Sequence, residues 1–245
     1  MDKIELLKDI IKNSTNIVFL GGAGVSTESN IPDFRSNQGI YNSKNKYNYP
    51  PEVMLSHSFF KSNTEEFFRF YKDKMIFKDA KPNLAHKALA KLEEVGKLNA
   101  IITQNIDGLH QLAGSKNVLE LHGSVHRNYC MGCNKFYNLD YMLKSNNNIP
   151  VCKVCGDTVK PDVVLYEESL DSDILRKSIL SVSQADTFIV GGTSLVVYPA
   201  AGLLEYFKGK NLILINKEAT PYDNKANLVI KDSIGKVLSE ALKEL

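Results

Sequence analysis

Apolar positions along this chain follow two alternating rhythms. Short unbroken runs, Ile17–Leu20, Ala100–Ile102, Val118–Leu121, Thr187–Val190 and Leu212–Ile215, have the length and composition of buried strands. Between them, segments such as Leu84–Val95 and Ser172–Ser183 repeat at helical spacing, and the alternation predicts a parallel sheet wrapped by helices. Each run ends in a small or polar cluster: Gly21-Gly22-Ala23-Gly24, Thr103-Gln104-Asn105, His122-Gly123, Gly191-Gly192-Thr193-Ser194 and Asn216. Ligands of open α/β sheets lie beyond the carboxyl ends of the strands, so these clusters are expected to line one crevice.

Two segments break the alternation. Ser36 to Pro82 is rich in Tyr, Phe, Asn and Lys, with short helices predicted around Pro51–His57 and Thr64–Met75. Arg127 to Lys160 holds all four cysteines and little core pattern. Both read as insertions that fold together, or side by side, into a smaller domain over the sheet's edge, with Asn146-Asn147-Asn148 as a loop tip. The expected division is residues 1–35, 84–126 and 161–245 for the large domain, and 36–83 with 127–160 for a helical module plus a cysteine-bearing ribbon.

With 43% apolar residues the chain can bury a substantial core, while 30 basic against 28 acidic residues leave only +2, far from the concentrated positive field of a nucleic-acid binder. No specific nucleic-acid partner is expected. Met1 to Asn13 sets Asp2, Glu5 and Asp9 among Ile4, Leu7 and Ile11, which predicts an amphipathic helix and lacks a signal peptide's basic start. A cytoplasmic protein, acting as a monomer, is the expectation. The most apolar stretch, Thr187 to Leu204, is interrupted by Gly191, Gly192, Thr193, Ser194 and Pro199, so it reads as a strand, a turn and a helix and not as a membrane span.

From Asn16 to Thr27 a strand runs into a glycine turn, which lets backbone N–H groups approach a pyrophosphate at the start of a following helix. Plain strand–helix packing is the alternative, because Thr27 stands where a third glycine would. A hydride-transferring dehydrogenase would show a second strand and a ribose-binding acid about 20 residues on. The polar, aromatic insertion occupies that place, so a nucleotide here is not expected to serve as a hydride carrier.

Cys130 and Cys133, then Cys152 and Cys155, form two Cys-x-x-Cys pairs separated by 18 residues. That is the spacing of zinc ribbons, where two tight knuckles complete a tetrahedron. Four thiolates leave no open position, so one structural zinc per chain is expected. Redox-active thiols are the alternative.

Taken in order, Gly22-Ala23-Gly24-Val25-Ser26, Ile31-Pro32-Asp33-Phe34-Arg35, Thr103-Gln104-Asn105-Ile106-Asp107-Gly108-Leu109-His110, Leu121-His122-Gly123, the two cysteine pairs and Gly192-Thr193-Ser194-Leu195-Val196-Val197-Tyr198-Pro199 closely resemble the sirtuins, in particular the bacterial zinc-bearing enzymes. The resemblance runs from about Ile17 to Asp232. It implies a Rossmann-like, doubly wound parallel sheet with a smaller domain of zinc ribbon and helices formed by two insertions. It also implies an NAD-dependent deacetylase acting on acetyl-lysine in proteins or peptides, with nicotinamide and O-acetyl-ADP-ribose as products.

Carried over residue by residue, the resemblance makes His122 the general base, an imidazole able to take a ribose hydroxyl proton at neutral pH. A histidine that merely ends a strand and bonds backbone is the alternative. Gly22, Ala23, Gly24, Ser26 and Thr27 fall to the cofactor's phosphates, Phe34 to shielding the reactive ribose face, and Arg35 to phosphate. Asp107 and Ile106 would grip the nicotinamide, and Gln104 and Asn105 the ribose hydroxyls. Across the crevice Gly192, Thr193, Ser194 and Asn216 would meet phosphate and ribose, with Asp232 and Ile234 at the adenine edge. Val164, Tyr166 and Val196 would line the channel for the lysine stem, with core packing as their alternative. His57, His86, His110 and His126 read as structural.

Two positions depart from the family's pattern. Asn30 stands for a usual Gly, and Asn tolerates the left-handed conformation. Glu167 replaces the Gly of the substrate-side segment, where a positive φ would strain it. Acetyl is the expected acyl group, because Tyr71 is followed three residues later by Lys74 and not by the Arg expected of succinyl recognition. The competing readings are a protein ADP-ribosyltransferase, attacking the same ribose carbon, and a non-catalytic NAD-sensing zinc-ribbon module.

Overall fold

The computed structural model describes residues 2–34, 39–40, 47–145 and 149–243. Arg35 and the predicted loop tip at Asn146-Asn147-Asn148 lie outside them.

The chain opens with α1 (Lys3–Asn13), capped by the Asp2 carboxylate, and β1 (Ile17–Gly21). The first insertion supplies α2 (Pro51–Met54), α3 (His57–Ser62) and α4 (Thr64–Lys74). The predicted helix at Pro51–His57 is therefore two, because Ser56 leaves the first and caps the second through its hydroxyl. Next come α5 (Leu84–Glu94), β2 (Leu98–Thr103), α6 (Leu109–Leu112) and β3 (Val118–Glu120). The second insertion contributes β4 (Gly123–Cys130), β5 (Phe136–Tyr137), α7 (Leu139–Lys144) and β6 (Val159–Val163). The chain then returns through α8 (Ser172–Gln184), β7 (Thr187–Gly191), β8 (Asn211–Ile215), β9 (Leu228–Ile230) and α9 (Ile234–Ala241).

Six strands form one parallel sheet in the order β3-β2-β1-β7-β8-β9, and β4, β5 and β6 form a separate antiparallel sheet. Both faces of the large sheet are covered. Ile17, Phe19, Ile101, Ile189 and Ile213 pack toward α1, α5 and α9, while Val18, Leu20, Ile102, Phe188 and Val190 pack toward α8. Burial on both sides is why these strands are apolar without interruption. A third cluster joins the insertions, with Phe60, Phe67, Phe68, Phe70 and Tyr71 against Val125, Cys130, Tyr137, Met142 and Val159. The aromatic residues that looked out of place in the first insertion are thus the core of the smaller domain.

Register fixes the site. Gly21 pairs with both Thr103 and Gly191, Gly191 with Ile215, and Ile215 with Ile230, so the carboxyl ends form one row. From β1 the order runs one way to β2 and the other way to β7, which is a topological switch point where such sheets bind ligands.

Two predicted helices have a different form. After the glycine turn the chain makes only short 3₁₀ turns at Ala23–Val25 and Thr27–Ser29. Asn30 ends them in the left-handed conformation (φ 62°), and Pro32 disfavours a helical Ile31. Beyond β7 the expected helix is the 3₁₀ segment Ala200–Tyr206. Among the described residues, no helix is long and apolar enough to cross a membrane.

Candidate active site

The two glycine loops at the switch point lie against each other. Gly22 and Gly24 donate their N–H groups to the carbonyls of Gly191 (3.3 Å) and Gly192 (2.8 Å). A Cβ on Gly24 would sit 2.8 Å from the Gly192 Cα, so this close approach requires glycine. The amides of Ala23, Thr193 and Ser194 donate to no described partner. Unpaired amides on two abutting loops are suited to a diphosphate. Thr27 turns its hydroxyl onto the Gly24 carbonyl at 2.9 Å and so braces the turn.

From β2 the loop Gln104–Asp107 enters the crevice. Its centre is the buried Ser26 hydroxyl, which donates to an Asp107 carboxylate oxygen (2.7 Å) and accepts from the Asn105 amide (3.0 Å). The other Asp107 oxygen takes the Leu109 N–H at 2.9 Å. Gln104 donates its side-chain amide to Thr193 Oγ1 at 3.1 Å, so the loop is tied to both glycine segments. Ile106 and Phe34 are partly buried against the smaller domain's core.

His122 stands between β3 and β4, with Nδ1 2.9 Å from the Gln104 carbonyl. A carbonyl only accepts, so Nδ1 carries the proton and the lone pair resides on Nε2. Burial pushes the imidazole's pKa below its ordinary value, partly opposed by that hydrogen bond, so the ring is neutral at pH 7. The backbone-bonding role considered for this histidine is present, and it leaves the second nitrogen available as a base.

On the opposite wall the Asn216 side chain donates to the Glu218 carbonyl (3.1 Å), and Asp232 pairs with Lys236 (2.6 Å). The Ile234 side chain is buried in the core against Gly191, so it does not form an adenine edge. Of the predicted channel residues, Tyr166 is 43% and Val196 52% exposed, which removes core packing as their role, and Val164 is half-buried. Val164 donates its N–H to the His122 carbonyl at 3.1 Å, joining this segment to His122.

Glu167 has φ 74°, the strained conformation expected where the family carries Gly. Its carboxylate accepts from the Ser58 N–H (2.8 Å) and hydroxyl (2.9 Å), and these bonds offset the backbone cost. Next to it Glu168 lies 2.8 Å from His57 and 3.2 Å from Lys160.

The four cysteine sulfurs lie within 4.8 Å of one another. Cys130 and Cys155 are 3.3 Å apart and Cys133 and Cys152 3.6 Å, too far for disulfides and near the roughly 3.8 Å edge of a tetrahedron built on 2.3 Å zinc–sulfur bonds. Backbone amides of Cys133 and Val154 point at Cys130 and Cys152 Sγ (both 3.4 Å), and the Tyr137 hydroxyl reaches Cys152 Sγ at 3.2 Å. Such donors favour thiolates, so the set fits one closed zinc site.

Residues 22–199 match the family model described as Sir2 family. This chain belongs to the Sir2 family. It is 69% identical over 242 residues to a protein of Clostridium acetobutylicum named NAD-dependent protein deacetylase, covering 99% of each chain. A Clostridium tetani protein of the same name is 66% identical, covering 100% of this chain and 99% of the relative. Among solved structures, a Sir2 with a p53 peptide and NAD aligns with a TM-score of 0.85 at 42% identity, covering 100% of this chain and 98% of that one. A Sir2 bound to an acetylated peptide aligns with a TM-score of 0.85 at 40% identity, with the same coverage.

Three residues outside the predicted set support this Sir2 site, and of them only His126 drew a reading from the sequence, as structural. Arg127 bridges Glu120 (2.5 Å) and Asp162 (2.7 Å), clamping β3, β4 and β6 around His122. Glu28 accepts the Gly235 N–H at 3.0 Å and joins the glycine turn to α9. His126 places Nε2 3.0 Å from the Asp107 carbonyl, pinning the loop from behind. Glu28, between the Gly22–Ser26 and Ile31–Arg35 motifs, and Glu120, beside Leu121-His122, were the ones with a motif nearby to draw attention to them.

Proposed function

We propose that this protein removes acetyl groups from lysine side chains of other proteins in an NAD-dependent reaction that releases nicotinamide and O-acetyl-ADP-ribose. The observation that carries the reading is His122: a neutral imidazole with its Nδ1 proton committed to Gln104 and Nε2 bonded to no described residue, at the end of the strand row that holds both glycine loops. A base meant only for packing has no need of that arrangement, and an NAD sensor has no use for it.

Ala23, Thr193 and Ser194 amides would hold the diphosphate, with Gly22, Gly24 and Gly192 allowing it close. When bound, NAD supplies an activated ribose–nicotinamide bond that the acetyl-lysine carbonyl oxygen can displace. Asp107 and Ile106 orient the carboxamide, and orientation of this kind lowers the barrier by removing unproductive poses. Phe34, beside Ile106, excludes water from the same face. His122 Nε2 takes the proton of a ribose hydroxyl, and Gln104 and Asn105 position that ribose. Val164, Tyr166 and Val196 receive the lysine stem, with the peptide added as an extended strand. Cys130, Cys133, Cys152 and Cys155 would hold zinc that keeps the smaller domain folded and takes no part in the reaction. Acetyl is the preferred group: Lys74, at the position where succinyl recognition is expected to place Arg, lies 3.4 Å from the Asp73 carboxylate.

The test incubates zinc-loaded protein with an acetyl-lysine peptide, with and without NAD, alongside His122→Ala, and follows nicotinamide and deacetylated peptide by mass spectrometry. Equimolar release that requires NAD and is lost in the variant is the expected result. Nicotinamide release with ADP-ribose on the protein and no deacetylation would replace the reading with ADP-ribosyl transfer, and no turnover would favour the sensor.

A further inference from the structure

Behind the Gln104–Asp107 loop, on the side away from the glycine turns, is a cavity of about 360 Å³. It falls within the range of small-molecule pockets, about 300–1,000 Å³. Its apolar walls come from Met75 and Phe77 below α4, Leu112 on α6, and Val125 and Leu139 on the smaller domain. Neither the glycine turn, Phe34, His122 nor the Gly192–Ser194 loop lines it, and of the residues assigned to the cofactor only Asp107 does.

The polar groups in the wall can be sorted by what they already bind. Both carboxylate oxygens of Asp107 are engaged, by Ser26 and by Leu109, and the Gln111 amide nitrogen is on Glu120 at 2.9 Å. His126 spends Nε2 on the Asp107 carbonyl and keeps Nδ1. Lys78, in the same wall, makes no ion pair or hydrogen bond among the described residues. An apolar chamber whose one cation, Lys78, bonds no described residue matches an amphiphile whose single charge is negative.

We propose that this cavity is a second binding site, for a small aliphatic carboxylate, with its carboxylate on Lys78 and its chain against Phe77, Leu112 and Leu139. Asp107 and Gly108 form part of the wall, and Val125 holds the Ile106 carbonyl from the same side at 3.0 Å. A ligand seated there covers the back of the loop and restrains it, so nicotinamide is held more firmly and inhibits at lower concentration. This second consequence rests on the assignment of Asp107 to nicotinamide; the binding itself does not.

The probe is octanoate, titrated calorimetrically into the zinc-loaded protein without NAD or peptide, so the outcome is independent of whether the enzyme deacetylates. Saturable binding is expected, weakened about tenfold or more by Lys78→Glu and by Leu112→Asp, and unchanged by His122→Ala. Leu112 is 66% exposed, so its replacement leaves the fold intact. Octanol is expected to bind more weakly than octanoate. No saturable binding, equal binding to both cavity variants, or displacement by an acetyl-lysine peptide would each overturn the site. In the active enzyme, octanoate should lower the nicotinamide inhibition constant by about threefold in wild type and not in Lys78→Glu. An unchanged constant alongside saturable binding would overturn the link to Asp107.

Discussion

His86 on α5 and His110 on α6 meet edge to face, 4.7 Å between ring centroids, beneath the Gln104–Asp107 loop. Both are fully buried, and neither nitrogen of His110 has a partner among the described residues. Burial lowers His110 from 6.5 to about 3, helped by the neighbouring His86. It lowers His86 to about 4, opposed by the Asp107 carboxylate. Between these values and 6.5 the unfolded chain binds more protons than the folded one, so stability rises with pH and is lost as pH falls below about 6.5. At pH 5 an unfolded histidine lies about 1.5 pH units below its midpoint while the folded ring stays neutral, which is about 2 kcal/mol per group.

The perturbation that isolates this effect is His110→Phe, which keeps an aromatic ring in place and removes the proton site. Any packing cost of the larger ring, about 1–3 kcal/mol, is present at every pH and cancels in the difference. The assay is urea unfolding of wild type and variant at pH 7 and pH 5, with zinc held in excess. Zinc–thiolate bonds also weaken in acid, but equally in both proteins. The stability lost between pH 7 and pH 5 is expected to be smaller by about 2 kcal/mol in the variant. Equal losses would refute the argument that His110 stays neutral in the folded protein.

Other expectations follow from the same geometry. Arg127→Ala leaves Glu120 buried without its cation and should cost about 2 kcal/mol in urea titrations, with kcat falling more than stability at low denaturant because His122 lies inside the clamp. Chelating the zinc should melt the smaller domain, seen as loss of near-ultraviolet signal from its aromatic core, while the parallel sheet keeps its far-ultraviolet signal. Below neutral pH, kcat/KM should hold until a pKa under 6.5 and then fall as His122 protonates, and a fall already complete at pH 7 would contradict its burial. Glu167→Gly should change stability by less than about 1 kcal/mol, since relief of the positive φ offsets two lost hydrogen bonds, yet raise the peptide KM by loosening the substrate segment from Ser58.

The parallel sheet was legible because strands buried on both faces must be apolar throughout, and the ends of those runs named the crevice. What stayed hidden depended on distant partners. β9 is three residues, Leu228–Ile230, too short to stand out until β8 pairs with it. In β4, polar residues such as His126 and Arg127 face solvent or ion-pair partners, and Pro161 interrupts β6, so neither declares itself without the other. The cysteine spacing was readable because a metal imposes local geometry. The aromatic core was not, since its residues gather from both insertions.

The two departures from glycine show where local reasoning stops. Both Asn30 and Glu167 adopt positive φ, at 62° and 74°. For Asn the tolerance is intrinsic to the residue, so its outcome could be argued from position alone. A glutamate has no such tolerance, and its strain is met by Ser58, a residue 109 positions earlier that no motif connects to it. The bonds that make Glu167 acceptable also tie the substrate segment to α3, next to the backbone pairing of Tyr166 with Leu55 and His57. A substitution that reads as damage in one dimension is, in three, a fastening between the two sides of the proposed peptide cleft. Replacing Ser58 with alanine therefore tests the same contact from the other end: with Glu167 left strained and keeping only the backbone N–H of residue 58, Ser58→Ala should destabilise more than Glu167→Gly does, by about 1 kcal/mol, and reversal of that order would mean the strain is relieved elsewhere.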